Sequence, residues 1–279
     1  MSNNIFFERG QMADKPNNYL WNGDCLELMK DIPDKSMDAI ICDLPYGTTQ
    51  NKWDSVIPFK LLWNEYERIT KDNGVIVLFG SEPFSSALRM SNIKKYKYDW
   101  KWIKNRPTGH LNAKRMPMRA NEDIMVFYKK QPTYNRQMVK RTDEELKQLS
   151  YKSVKTESYK GYGSHESKSP NRNDNLYKSP NNNLYFKTVH GTDKRKLKHG
   201  TQKPIELMDY LVKTYTNEND WVLDNTCGSN TTGIACYDLN RNYIGIEKDI
   251  DIYNVAKKRV EENILLRANN PKTLFDDKP

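Results

Sequence analysis

Residues 222–249 read VLDNTCGSNTTGIACYDLNRNYIGIEKD. A short apolar run closes on Asp224, and a turn of small residues follows. A helical stretch begins at Thr231, and a second apolar run closes on Glu247. Strand, turn, helix and strand in this order form half of a doubly wound α/β sheet. A turn rich in Gly and Ser lets the backbone approach a ligand closely, and the helix behind it aims amide groups at that ligand. An acidic residue ending the next strand lies where a ribose presents its hydroxyls. A tight turn in any α/β protein shares this outline, so alone the stretch fixes the fold half better than the ligand.

Working back along the chain, residues 204–215 (PIELMDYLVKTY) carry apolar side chains at helical spacing behind a proline, which predicts a helix. Residues 39–42 read as a buried strand, 59–70 as an amphipathic helix, 72–74 as a turn and 75–79 as a continuous apolar strand. Residues 99–103 and 124–128 read as further strands, with a basic, irregular stretch between them. Residues 25–32 and 249–266 read as helices. Strands alternating with helices predict a mostly parallel sheet covered on both faces. Three stretches divide the chain: 1–104, one half of the core; 105–200, a core strand and an insertion; and 201–279, the other half.

The strand at 39–42 runs into Asp43-Leu44-Pro45-Tyr46. This places a carboxylate, a carbonyl and a flat ring at the carboxyl edge of the sheet, where open α/β folds bind ligands. Two acceptors and one ring suit a planar group bearing an exocyclic amine. A strand-capping Asp beside a packed Tyr is the plainer reading of the tetrapeptide alone.

The chain of 279 residues carries a net charge of +9 and a pI of about 9.1, which fits a polyanionic partner. Residues 139–200 hold fourteen Lys and Arg against seven Asp and Glu, with Ser, Asn and Tyr in place of apolar periodicity. They read as a long insertion with little core of its own. Four cysteines, at 25, 42, 227 and 236, show no paired spacing and no histidine cluster, so neither a metal site nor a disulfide framework is expected. No apolar run reaches membrane-spanning length, and no leader is evident. Reduced thiols then point to the cytoplasm.

Together the two blocks resemble the amino-group DNA methyltransferases that use S-adenosyl-L-methionine, in the class whose D-P-P-Y motif precedes the cofactor motif. Asp43-Leu44-Pro45-Tyr46 is similar to D-P-P-Y. Asp224–Gly233 is similar to D-P-F-x-G-S-G-T-T-G, and Thr201-Gln202-Lys203-Pro204 to T-Q-K-P, an element that closes over the cofactor. Asn22-Gly23-Asp24-Cys25-Leu26 is also typical of the class. Phage-borne adenine methylases resemble the chain further at Gly47-Thr48-Thr49 and at residues 79–84. The resemblance covers about residues 18–130 and 199–265. It implies a Rossmann-like methyltransferase fold with an inserted target-recognition region.

By this resemblance Asp43, Leu44, Pro45 and Tyr46 are catalytic. Asp24, Cys25, Thr201, Gln202, Lys203, Pro204, Asp224, Thr226, Gly228, Ser229, Asn230, Thr231, Thr232 and Glu247 hold the cofactor, with Asp24 at its adenine and Glu247 at its ribose. Double-stranded DNA is the implied substrate, with the target base flipped out of the helix. The basic residues Arg106, Lys114, Arg115, Arg119, Lys194, Arg195, Lys196 and Lys198 are the expected contacts to it. Asp at the head of the tetrapeptide leans toward adenine N6, since relatives acting on cytosine N4 usually carry Ser there. A homodimer is also implied. Cytosine N4, an RNA or protein amide substrate, and an inactive DNA-binding relative are the competing readings. Three departures stand out. Leu44 replaces a proline whose carbonyl is what matters. Thr226 replaces a phenylalanine, which leaves packing on that side in question. Asn230 replaces a glycine, and Asn tolerates a left-handed backbone.

Overall fold

The computed structural model describes residues 18–47, 54–150, 176–189 and 202–269. They fall into two units: one runs through Asn135 and resumes at Asn182, and the other is Arg136–Asn181.

The larger unit is built on eight described strands. In chain order they are β1 (Asn18–Asn22), β2 (Met37–Cys42), β3 (Thr70–Gly80), β4 (Tyr96–Thr108), β5 (Arg119–Tyr128), β8 (Asn183–Tyr185), β9 (Trp221–Asp224) and β10 (Asn242–Glu247). They pair in the order β1-β10-β9-β2-β3-β5-β4-β8. All neighbours are parallel except β5, which runs antiparallel to both β3 and β4. The sheet is therefore doubly wound and mostly parallel, as the alternating pattern predicts.

Successive side chains of β2 point to opposite faces, and both faces are apolar. Ile40 and Cys42 face one core, which α1 (Cys25–Leu28), α2 (Phe59–Ile69) and α3 (Phe84–Ser91) cover with Leu62, Trp63, Tyr66, Phe84 and Leu88. Ala39 and Ile41 face the other core, which α5 (Ile205–Tyr215) and α6 (Thr231–Asp238) cover with Leu207, Leu211, Tyr215 and Ala235. The closing helix α7 (Ile250–Asn269) buries Ile252, Tyr253 and Ala256. Each buried Ile, Leu or Phe among these contributes roughly 1.5–3 kcal/mol relative to an exposed one.

Three expectations change. Residues 72–74 do not form a separate turn but lie inside β3, where the pairing with β2 slips between Met37↔Thr70 and Ala39↔Val75. The stretch between 103 and 124 is not wholly irregular. β4 and β5 extend into it as a long hairpin, pairing as far as Thr108↔Arg119, with a 3₁₀ turn at His110–Asn112. The stretch from 139 to 200 is not one insertion, because β8 joins the main sheet beside β4 through Trp102↔Leu184. A three-residue strand surrounded by Asn and Lys carries too little periodicity to be read from sequence.

The smaller unit holds β6 (Val139–Lys140), α4 (Asp143–Ser150) and β7 (Tyr177–Lys178), with β6 and β7 antiparallel. A reciprocal cap starts α4. The Glu145 amide donates to the Thr142 hydroxyl at 3.3 Å, and the Thr142 amide donates to the Glu145 carboxylate at 3.1 Å. No described helix in either unit is long and apolar enough to cross a membrane.

Candidate active site

β2 and β9 are neighbours in the sheet, and the strand order reverses between them. Their carboxyl ends therefore open a crevice of the kind in which α/β sheets bind ligands. Asp43 follows β2 and Thr226 follows β9. The Thr226 hydroxyl donates to the Asp43 carbonyl at 3.0 Å and lies 2.9 Å from the Cys42 thiol. Where the related motif has a phenylalanine, this chain joins its two motifs by hydrogen bonds. A cavity of about 940 Å³ opens here, bounded by both motifs, by Gln202 and Lys203, and by the β4–β5 hairpin.

One wall is acidic and backbone-rich. The Asp24 carboxylate caps α1 by accepting from the Leu26 amide at 2.9 Å, and it meets the Lys248 ammonium at 3.0 Å. Partial burial works to raise this carboxyl, but Lys248 and the Leu26 and Glu27 amides outweigh it and hold it below its ordinary value. Glu247 accepts from the Gly228 amide at 3.0 Å and the Asp249 amide at 2.9 Å, and burial pushes its carboxyl up. Gly228 has φ +50°, and Asn230 has φ +60° at the start of α6, so the left-handed turn survives the loss of the motif's second glycine. Gly233 is required behind it, because a Cβ there would lie 2.4 Å from Asn230 Oδ1. Arg259 braces the turn by donating to the Ser229 carbonyl at 2.7 Å and the Thr231 hydroxyl at 2.9 Å. Asp224 lies beneath, 3% exposed, accepting from the Thr232 hydroxyl at 2.6 Å. Burial pushes its carboxyl up to about 7.

The opposite wall is a charged cluster. The Tyr46 hydroxyl donates to Asp43 Oδ1 at 2.6 Å, and its ring stacks on Phe84 with centroids 5.1 Å apart. The Lys203 ammonium pairs with Asp43 Oδ2 and lies 3.3 Å from Glu122 Oε2. It sits 5.0 Å from the Phe79 ring centre and 6.0 Å from that of Trp102. Burial would lower the Lys203 ammonium, but Asp43 and Glu122 outweigh it and hold it above the ordinary lysine value. Lys104 pairs with Glu122 from the other side. Burial would raise the Glu122 carboxyl, and the two lysines hold it below the ordinary range.

Most of the residues expected at a cofactor line this one cavity: Asp24, Cys25, Gln202, Asp224, Thr226, Gly228, Ser229, Thr231, Thr232 and Glu247. Asn230 is fully buried behind the turn, and Pro204 caps α5. Lys203 also lines this cavity, with its ammonium on Asp43 at the other wall. Arg106 lines the cavity from the hairpin. Lys114, Arg115 and Arg119 are exposed along that hairpin, with the Arg119 guanidinium donating to the Ser81 hydroxyl at 3.2 Å. Thr201, Lys194, Arg195, Lys196 and Lys198 lie outside the described residues.

Sequence reasoning missed Glu122, Lys104, Trp102 and Asp54, all of which line the cavity. Glu122 alternates with Ile124 and Val126 on one face of β5. An acid in register with buried apolar residues was the available signal, and it was lost when the strand was begun at 124.

The model of a DNA methylase family (N6/N4 methyltransferases) matches residues 37–258. The Type II methyltransferase M.HpaI of Haemophilus parainfluenzae is 28% identical over 248 residues, spanning 85% of this chain and 72% of that protein. The crystal structure of an M1.HpyAVI–SAM complex superposes with a TM-score of 0.57 at 29% identity, covering 86% of this chain and 98% of that one. The cytosine-N4-specific PvuII DNA methyltransferase shares the fold, with a TM-score of 0.62 at 16% identity over 93% of this chain and 95% of its own. The match runs from β2 into α7 and so takes in both strand ends that open the crevice. The chain belongs to this family of N6/N4 DNA methylases.

Proposed function

We propose that the chain transfers a methyl group from S-adenosyl-L-methionine to the N6 amine of an adenine flipped out of double-stranded DNA. The observation that carries this reading is the Thr226–Asp43 hydrogen bond, which holds the two motifs at one cavity. About 940 Å³ suits a nucleoside-sized cofactor and a base together, since ligand pockets run roughly 300–1,000 Å³. The cofactor fits the first wall by its chemistry. Glu247 and Asp24 supply acceptors for ribose hydroxyls and an adenine amine, and the turn at Gly228 leaves backbone open to the methionine part. When bound, the cofactor supplies an electrophilic methyl on a sulfonium.

The chain's own residues do the rest. Asp43 and the Leu44 carbonyl accept the two protons of the target amine, which draws the nitrogen out of conjugation and aims its lone pair. So held, the nitrogen would accept the methyl that the sulfonium supplies, leaving a neutral thioether, and would release one proton toward Asp43 and solvent. Tyr46, held by Asp43 and Phe84, gives the extruded base a stacking surface. Most of the gain is positioning and preorganised polarity. Asp at position 43 favours adenine over cytosine. Arg106, Lys114, Arg115 and Arg119 on the hairpin neutralise phosphates. Pairing of two copies is a separate reading, which light scattering tests.

Unmethylated plasmid incubated with the protein and S-adenosyl-L-methionine, then sequenced for modified bases, tests the proposal. N6-methyladenine at a recurring short site is expected. N4-methylcytosine would move the assignment to the other base, and unmodified DNA would overturn the activity.

A further inference from the structure

Lys203 is caged more tightly than a solvated ion pair requires. Carboxylates stand on two sides of its ammonium, Asp43 and Glu122, and the rings of Phe79 and Trp102 flank it. Its side chain is 12% exposed and that of Asp43 is 28% exposed, and both line the cavity. Glu122 sits opposite Trp102 in the β4–β5 pairing, and Lys104 holds it from behind, so the cage is anchored in the sheet. An ammonium has three protons. Asp43 accepts one of them, Glu122 attracts the ammonium as an ion pair at 3.3 Å, and a proton is left for an acceptor entering the cavity.

The chemistry of that acceptor follows from Asp43. Each of its oxygens already has one donor, Tyr46 on Oδ1 and Lys203 on Oδ2, and each keeps lone-pair capacity for another. A target amine that donates to Oδ2 therefore arrives beside Lys203. In adenine and in cytosine the amine-bearing carbon also carries a ring nitrogen, an acceptor with no proton. We propose that Lys203 donates to this ring nitrogen, so that Asp43 and Lys203 together read the N=C–NH₂ edge of the target base. At the corresponding ring position guanine and thymine carry a carbonyl beside a protonated ring nitrogen, and guanine's own N=C–NH₂ group lies at C2 on its minor-groove side, so the pair discriminates at this edge as well as positioning the base. Glu122 is the positioning residue that keeps Lys203 at this point. The inference rests on the methyltransferase reading above and deepens it at the target side.

The test uses duplexes carrying the site mapped on plasmid, with the target adenine intact or replaced by 1-deazaadenine or 7-deazaadenine. If the mapped base is cytosine, 3-deazacytosine is used. Single-turnover methylation is measured for the parent and for Lys203→Met. The parent should lose about 10-fold or more on 1-deazaadenine (or 3-deazacytosine), which lacks the contacted nitrogen, and little on 7-deazaadenine, and a loss on 7-deazaadenine alone overturns the assignment. Lys203→Met should be slower on the natural base and indifferent to the loss of that nitrogen, so that the two changes do not multiply. Analogues alter the intrinsic reactivity of the amine, and this cycle cancels that effect. If Lys203→Met does not fold, Glu122→Gln/Lys203→Met removes the stranded carboxylate and takes its place. A parent that methylates natural DNA and all analogues alike overturns the assignment of Lys203 and leaves the activity standing. So does a variant that keeps the parent's discrimination. A parent that leaves natural DNA unmethylated overturns the methyltransferase reading itself, and the assignment with it.

Discussion

The wall of Asp24, Gly228 and Glu247 and the wall of Asp43, Glu122 and Lys203 face the same cavity but are built in different ways. The first is made largely of backbone: amides of Gly228, Asp249 and Leu26 are tied to carboxylates close in sequence or at the end of the strand paired beside them. The second is made of side chains delivered by separate elements. Asp43 follows β2, Lys104 lies on β4, Glu122 on β5, and Lys203 precedes α5. A backbone wall is fixed as soon as its strands and turns form. A side-chain wall exists only after the whole sheet has assembled, and each of its charges depends on partners from elsewhere. Substitutions on the first wall should therefore change ligand affinity, and those on the second should change the rate.

The largest expected effect is at Asp43. Asp43→Ala removes an acceptor for the target amine and should lower single-turnover methylation roughly 100-fold or more, with cofactor affinity by calorimetry near the parental value. A near-parental rate would remove the distinction between the walls. Next comes Glu247→Ala, which strips a charged acceptor from the first wall. Cofactor affinity should weaken by roughly 1.5–3 kcal/mol, with the rate at saturating cofactor largely kept. An unchanged Kd would leave Glu247 as a brace for the Gly228 turn alone.

Asp224 sharpens the comparison from beneath the first wall. Its folded-state carboxyl is raised to about 7, above its unfolded value. The stability it contributes is therefore complete below the unfolded value, near 4, and is lost as pH rises through about 7. Between pH 6 and 8 the parent should lose about 1.4 kcal/mol that Asp224→Asn does not lose, read as the change in their stability difference in urea. Parallel pH profiles would mean that Asp224 remains ionised in its buried setting. The smallest effect is expected outside both walls. Arg115→Ala, on the exposed hairpin, should weaken duplex binding a few-fold and lower the slope of log K against log salt by about 0.9, with cofactor affinity unmoved. An unaltered slope would take that side chain off the phosphates.

The match between reading and structure follows the same division. Residues 222–249 were legible because a strand, a turn and a helix leave local traces: an apolar run, a Gly-Ser turn and helical spacing. Asn230 was legible because its left-handed backbone is an intrinsic tolerance of the residue. Lys203 was legible from its motif but its pairing with Asp43 was not, since a motif gives a residue's neighbours in sequence and not the carboxylate it meets. Glu122 was missed because β5 begins five residues before the apolar run that marked it.

By itself, the sequence determined the mostly parallel core and the two strand ends that carry acidic turns. These depend on propensities and periodicities that act over a few residues. Only the tertiary structure decided that Thr226 would bridge the two motifs, that the hairpin would close the crevice with Arg106, and that Lys203 would lie between Asp43 and Glu122. Those contacts join residues far apart in the chain, and their geometry is set by the order in which the strands pair.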